Sequence, residues 1–395
     1  MAMQLVCNGG VSFRGVSKVF IAINLSFNLK LRIPAHATVL VWMKKQGIAN
    51  FREPVFFEQQ KWVLIIDESV QFGNKKLLVV LAAKESDIKP GKPLKYSDLV
   101  PMIIKASTSW RSEEIQGEIE SRINLKQVSY AVSDNGNNLK GCYHLSGIRH
   151  IEDIGHKFSW FMKEVFEKHP DFENYTKHLS GLRGKLSLSK FAHLIPPNQR
   201  IISRFMNLKP LFNWGCRILK ILDKNVLAKD EKEKVGFVLR YRTFILETRK
   251  LLSVLNSVQQ IIKTKQLCRK TANECVVKLN KINDVQGKKV VGMIKDYFEK
   301  TLQKLPDNKI ILCCSDIIES CFGKYKEVVK HNKSVGVTDL CLTISCLTSG
   351  HDLQQLKQTM ETVKVKDLKQ WRDENVGESL LAKRNNLFSF CKKTF

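Results

Sequence analysis

Acidic residues are scarce in this chain. Its 395 residues hold 38 Asp and Glu against 65 Lys and Arg, a formal charge of +27. A chain so short of negative charge is built to meet a polyanion. An anionic membrane surface would qualify, but no long basic amphipathic helix dominates, and no apolar run approaches the ~20 residues of a membrane span. Also missing is any C-x₂-C pair. The eleven cysteines include Cys268 and Cys275, adjacent Cys313 and Cys314, and Cys341 and Cys346. Such spacings argue against zinc sites and read as core thiols in a reducing cytosol. The start, Met1-Ala-Met-Gln-Leu-Val-Cys7, lacks the charged head and long apolar stretch of an export signal, so a cytoplasmic location is expected. What remains is ordinary for a folded chain: 43% hydrophobic and 26% charged residues, at a length that supports two or three domains.

The organising stretch is Trp62-Val-Leu-Ile-Ile-Asp67-Glu-Ser-Val-Gln-Phe-Gly73, followed by Lys76-Leu-Leu-Val-Val-Leu-Ala-Ala83. Consecutive apolar residues at 62–66 predict a strand covered on both faces. A carboxylate at its end would lose solvation unless a cation holds it, and a hard divalent ion suits carboxylate oxygen. The plainer reading of Asp67 is a turn cap. The pattern recurs, however, in Val128-Ser-Tyr-Ala-Val-Ser-Asp134-Asn-Gly-Asn-Asn, another short strand ending in an aspartate and a tight turn. Between them, Val100–Ala106 predicts a strand, and Ile115, Ile119 and Ile123 mark one helix face. A third acid stands in Ser315-Asp-Ile-Ile-Glu319-Ser-Cys-Phe-Gly-Lys-Tyr-Lys326, where Ile318, Phe322 and Tyr325 form a helical stripe. Lys326 returns to the face of Glu319 two turns later.

In this order of strand-Asp67, strand-Asp134 and late helix-Glu319, the chain resembles the DDE transposases of bacterial insertion sequences, with their RNase H-like catalytic core. The flanking words Ser-Asp134-Asn-Gly, Asp153-Ile-Gly-His156, Leu194-Ile-Pro-Pro-Asn-Gln-Arg200-Ile-Ile-Ser-Arg204-Phe and Glu319-Ser-Cys-Phe-Gly-Lys-Tyr-Lys326 carry the same likeness over roughly 60–380. In some such families a tyrosine and an arginine stand seven and four residues before the glutamate; here those positions are Leu312 and Ser315. The resemblance implies an α/β fold: an RNase H-like mixed sheet flanked by helices, an N-terminal helical DNA-binding domain and a long all-helical insertion. It also implies two Mg²⁺ or Mn²⁺ ions held by Asp67, Asp134 and Glu319, with Lys326 beside the scissile phosphate. The expected reaction is nicking of transposon ends followed by strand transfer into target DNA, by a homodimer or higher oligomer associated with the nucleoid.

Domain expectations follow. Residues 1–52 read as a helix-turn-helix-like unit, in which Phe13, Val16 and Phe20 share one face. A second helix opens near Pro34 and ends at Gly47. Trp42 would pack inward, while Arg14, His36, Thr38, Lys44 and Lys45 are candidate DNA contacts. The bland alternative is a basic helical hairpin packed on the core. Residues 58–222 would form the first part of the catalytic core with its basic helices. Their Arg183, Lys185, Lys190, Arg200 and Arg204 would grip phosphate. Asp153 reads as a helix cap rather than a metal ligand. A helical insertion is expected over 223–310, with Phe237, Tyr241, Phe244, Leu251, Leu255 and Val258 as its stripe. The last core helix and a C-terminal helical region would occupy 311–395. Two further functions stay open: a transposase-derived DNA-binding regulator without catalysis, and an RNase H-like nuclease that only hydrolyses.

Overall fold

The structure is a computed structural model that describes residues 1–52, 60–72, 75–199, 204–306, 309–329, 336–348 and 353–393. The linker at 53–59, the Gly73-Asn74 turn and Arg200 lie outside them. The chain divides into two compact units. One comprises 1–88, 94–151 and 315–395; the other comprises 89–93 and 152–314. The dividing points thus fall near 151 and 314, and residues 1–52 share a unit with the sheet.

The sheet unit begins with α1 (Ala2–Cys7), α2 (Phe13–Phe27) and α3 (His36–Arg52). There follow β1 (Trp62–Phe72), β2 (Lys75–Lys84), β3 (Leu99–Ser107), α4 (Ser112–Glu120), β4 (Val128–Ser133), α5 (Asn137–Ser146) and β5 (His150–Glu152). The five strands form one mixed sheet in the order β3-β2-β1-β4-β5. β1 and β3 run antiparallel to β2, and β4 lies parallel to β1.

Both faces of the sheet are covered, as the unbroken apolar run 62–66 requires. On one face Trp62, Leu64, Ile66, Leu78, Val80 and Ala131 pack with Ile115, Ile119 and Ile123 of the α4 region and Leu139, Cys142 and Tyr143 of α5. The other face carries Val63, Ile65, Leu77, Val79, Leu81, Tyr130 and Val132, all fully buried. The C-terminal helices of the unit are α13 (Asp316–Val329), α14 (Leu342–Leu347), α15 (Leu353–Thr362), α16 (Val365–Asn375) and α17 (Leu380–Lys393). Of these α13 packs on β1, while α3, α14 and α16 pack on β3.

Helix α3 does not stop at Gly47. It runs five residues further, because the missing Cβ serves a close approach rather than a helix end. A Cβ at Gly47 would sit 2.4 Å from the Leu342 carbonyl oxygen of α14. Ser345 Oγ donates to the Gly47 carbonyl at 2.7 Å, and Asn50 Nδ2 donates to the Ser345 carbonyl. Val16 and Val39 are buried between α2 and α3, with Phe13, Phe20 and Trp42 against them. Ile48 packs with Leu342, Val363 and Leu368.

The helical unit holds α6 (Ile154–Phe166), α7 (Pro170–Leu186), α8 (Lys209–Asp223), α9 (Lys229–Val235), α10 (Arg242–Lys265), α11 (Arg269–Leu279) and α12 (Val285–Leu302). Its core is aromatic: His169 stacks on Phe244 at 5.3 Å, and Tyr175 meets Phe212, Tyr241 and Phe244. The predicted stripe is buried at Tyr241, Phe244, Leu251, Leu255 and Val258. It bends where a 3₁₀ segment (Gly236–Tyr241) hands over to α10. Asp153 caps α6, accepting from the His156 amide at 2.9 Å.

Candidate functional site

The parallel pairing of β1 with β4 sets the site. Leu64 stands opposite Ala131 and Ile65 opposite Val132. The pairing stops there; Asp67 lies two residues further along β1, and Asp134 follows directly on the end of β4 at Ser133. Paired positions in a parallel ladder direct side chains to the same face. Since Leu64 faces α4 and α5, alternation along β1 turns Asp67 to the opposite face. Helix α13 packs against β1. Glu68 turns the other way, where Lys76 pairs with it at 3.3 Å and Asn138 Nδ2 donates at 3.4 Å. The β1–β2 register shifts immediately after Asp67, so the aspartate stands at the edge of a bulge, a common way for a strand to re-aim a side chain.

Asp134 is fixed from its own turn. Its Oδ1 accepts from the Gly136 amide at 3.1 Å, an Asx turn that leads into α5. Beneath it, Tyr143 donates to Ser133 Oγ at 2.9 Å, and Ser133 meets His150 Nε2 at 3.0 Å. The rings of Tyr143 and His150 stack at 4.5 Å. Burial pushes the Tyr143 phenol well above its ordinary pKa, and the nearby Asp134 and Asp67 carboxylates raise it further. The phenol therefore stays protonated and serves as a donor. This Tyr143–Ser133–His150 support was not read from the sequence; the serine preceding Asp134 was its one visible trace.

Helix α13 buries Ile318, Cys321, Phe322 and Tyr325, whereas Glu319 and Lys326 are exposed and Asp316 is half-buried. The helix is held beside Glu319 by Tyr96, whose hydroxyl meets Ser320 Oγ at 2.6 Å. One turn on, the Lys324 ammonium lies 4.5 Å over the Tyr96 ring. The ligand atoms of Asp67, Asp134 and Glu319 do not all fall within 4.8 Å of one another. Each of the three offers the hard oxygen that Mg²⁺ or Mn²⁺ takes.

The candidate DNA contacts divide sharply. Arg14, His36, Thr38 and Lys185 are exposed. Lys44 pairs with Asp339 at 2.8 Å, and Lys45 donates to the Met360 carbonyl at 3.0 Å. Arg183 donates to the Pro196 carbonyl at 2.6 Å, and Arg204 lies 4.9 Å over the Phe172 ring. Lys190 stands over Phe191 and 3.6 Å from Asp230. The structure gathers a different basic group instead. Arg217 and Lys220 of α8 and Arg249 of α10 line an open cleft of about 480 Å³ with Pro210, Asn213 and Cys216. All three charges are exposed. The i, i+3 spacing of Arg217 and Lys220 was the available signal; the contribution of Arg249 depends on packing.

Among the described residues no helix is long and apolar enough to cross a membrane. No protein-family model matches the chain, and no curated protein gives a significant match.

Proposed function

We propose that this chain is a metal-dependent DNA strand-processing enzyme of the DDE transposase type, built on an RNase H-like core. The observation that supports the reading is the parallel β1–β4 pairing of Leu64 with Ala131 and Ile65 with Val132; extended two residues, it would bring Asp67 beside Asp134 although 55 residues separate the two strands. The strand order supports it, since the first and fourth strands lie side by side at the centre of the sheet. So does α13, the helix that carries Glu319, which packs against β1. Asp67 and Asp134 would hold a divalent ion, with Glu319 as the third carboxylate. Bound there, the ion would activate the attacking oxygen and steady the departing one. The Asx turn and the Tyr143–Ser133–His150 support keep Asp134 oriented, and Lys326 offers a point charge to phosphate. Excess positive charge supports duplex DNA as the partner. Arg14, His36 and Thr38 are the accessible contacts in the N-terminal helices, and Arg217, Lys220 and Arg249 form the best-organised phosphate cleft.

The experiment is single-turnover nicking of duplex DNA with Mg²⁺, comparing the parent with Asp67→Asn. A neutral amide is a poor ligand for the ion, so cleavage falls by about 10³-fold, the loss of several kcal/mol of transition-state stabilisation. DNA affinity stays within a few-fold. Retention of more than a few per cent of cleavage removes Asp67 from the site. That Asp67, Asp134 and Glu319 form no group within 4.8 Å of one another favours a second reading, a DNA-binding regulator of the same descent without turnover. Tight DNA binding with no metal-stimulated nicking by the parent protein selects it.

A further inference from the structure

Three sulfurs meet inside the sheet unit. Cys7 closes α1, Met43 lies in the middle of α3, and Cys346 lies near the end of α14. Cys7 Sγ is 3.9 Å from Met43 Sδ and 4.0 Å from Cys346 Sγ, and Cys346 Sγ is 3.6 Å from Met43 Sδ. All three residues are buried, none more than 2% exposed. Other thiols of the chain are used differently: Cys275 and Cys313 approach the main-chain carbonyls of Val258 and Ile311.

The dimensions of the triangle are informative. The point equidistant from the three sulfurs lies about 2.2 Å from each, close to the ~2.3 Å length of a zinc–thiolate bond. A planar set of two thiolates and a thioether is a soft, three-coordinate site. Zinc prefers four ligands in a tetrahedron, whereas soft sulfur donors select Cu(I). We propose that Cys7, Met43 and Cys346 bind a single Cu(I) ion at the junction of α1, α3 and α14. Binding replaces two thiol protons, which leave to solvent, and changes no oxidation state. The resulting site carries one net negative charge. The Lys324 ammonium, which donates to the Cys7 carbonyl at 2.7 Å, places a positive charge beside it. A cavity of about 280 Å³, lined by Val6, Val11, Phe13, Met43, Lys324 and Leu347, gives access from the Met43 side.

The test uses the full chain, reduced and kept under nitrogen, titrated with Cu(I) against a chromophoric Cu(I) chelator. One equivalent is taken up, X-ray absorption finds three sulfurs at about 2.2–2.3 Å, and the thermal midpoint rises. Cys7→Ser and Cys346→Ser each abolish uptake. Should either fail to fold, Met43→Leu decides, because that exchange conserves volume. It leaves the metal-free midpoint in place and weakens Cu(I) by about tenfold or more, with one sulfur lost from the absorption spectrum. The proposal is overturned if the parent takes no Cu(I), or if Met43→Leu binds it unchanged with three sulfurs. A Cys7–Cys346 disulfide in the isolated protein, with no uptake after reduction, overturns it too. None of these readouts involves DNA.

Discussion

The sheet unit and the helical unit place their chemistry by different means. In the first, Asp67 lies midway along β1, which continues to Phe72 instead of ending at the aspartate as expected, and Asp134 follows the end of the neighbouring strand β4. In the second, Arg217, Lys220 and Arg249 project from α8 and α10 on long flexible stems into an open cleft. On the proposed function, the difference would suit the tasks. A metal ion demands oxygens at fixed distances, whereas a phosphate backbone is met by mobile cations whose contribution is electrostatic and salt-dependent. Glu319 differs from both aspartates, being exposed on the helix α13.

The sharpest way to break this contrast is at α13. Glu319→Gln is expected to abolish Mg²⁺-dependent nicking, by about 10³-fold. Asp316→Asn, three residues earlier on roughly the same face, should keep at least a tenth of the parent rate. Single-turnover nicking of both variants reads the outcome, and the reverse result would mean that the helix presents Asp316 instead. The helical unit is probed by replacing Arg217, Lys220 and Arg249 together with alanine. Duplex affinity should fall by about 10–100-fold at moderate salt, with the log–log salt slope shallower by roughly 2–3. An unchanged slope would show that phosphate is gripped elsewhere. The smallest effect concerns stability. Gly47→Ala drives a Cβ into the Leu342 carbonyl and should cost about 1–3 kcal/mol of unfolding free energy in a denaturant titration. A neutral result would mean that α3 and α14 separate easily.

Much of the sheet was legible in the residues. The runs at 62–66, 76–83, 100–106 and 128–133 all lie in strands, and Ile115, Ile119 and Ile123 are buried as their spacing predicted. Local period carries that information. Gly47 was misread because a glycine that ends a helix and one that admits a neighbouring backbone look alike in one dimension. Lys44 and Lys45 were expected to face outward; their partners Asp339 and Met360 lie some three hundred residues away, beyond any local pattern. The pairing of β1 with β4 also needed the sheet, because two intervening strands could have separated them. Spacing likewise could not show that Cys7, Met43 and Cys346 meet. Arg183 makes the same point: it was expected to grip phosphate, yet it is tied to the Pro196 carbonyl.

The seam between α3 and α14 also has a consequence for the order in which the protein is made. Ile48 and Gly47 emerge from the ribosome early, while Leu342 and Ser345, against which they close, come almost three hundred residues later. At translation speeds of about 5–20 residues per second the first helices wait roughly 15–60 s for that partner. During that interval Ile48 of α3 lacks its native cover from Leu342, Val363 and Leu368, and β1 lacks α13. The segment 152–314, continuous in sequence, can complete its own packing while the sheet unit is still unfinished. A nascent chain cut before α14 should therefore present a folded helical middle and a sticky beginning, which is the kind of species that chaperones hold.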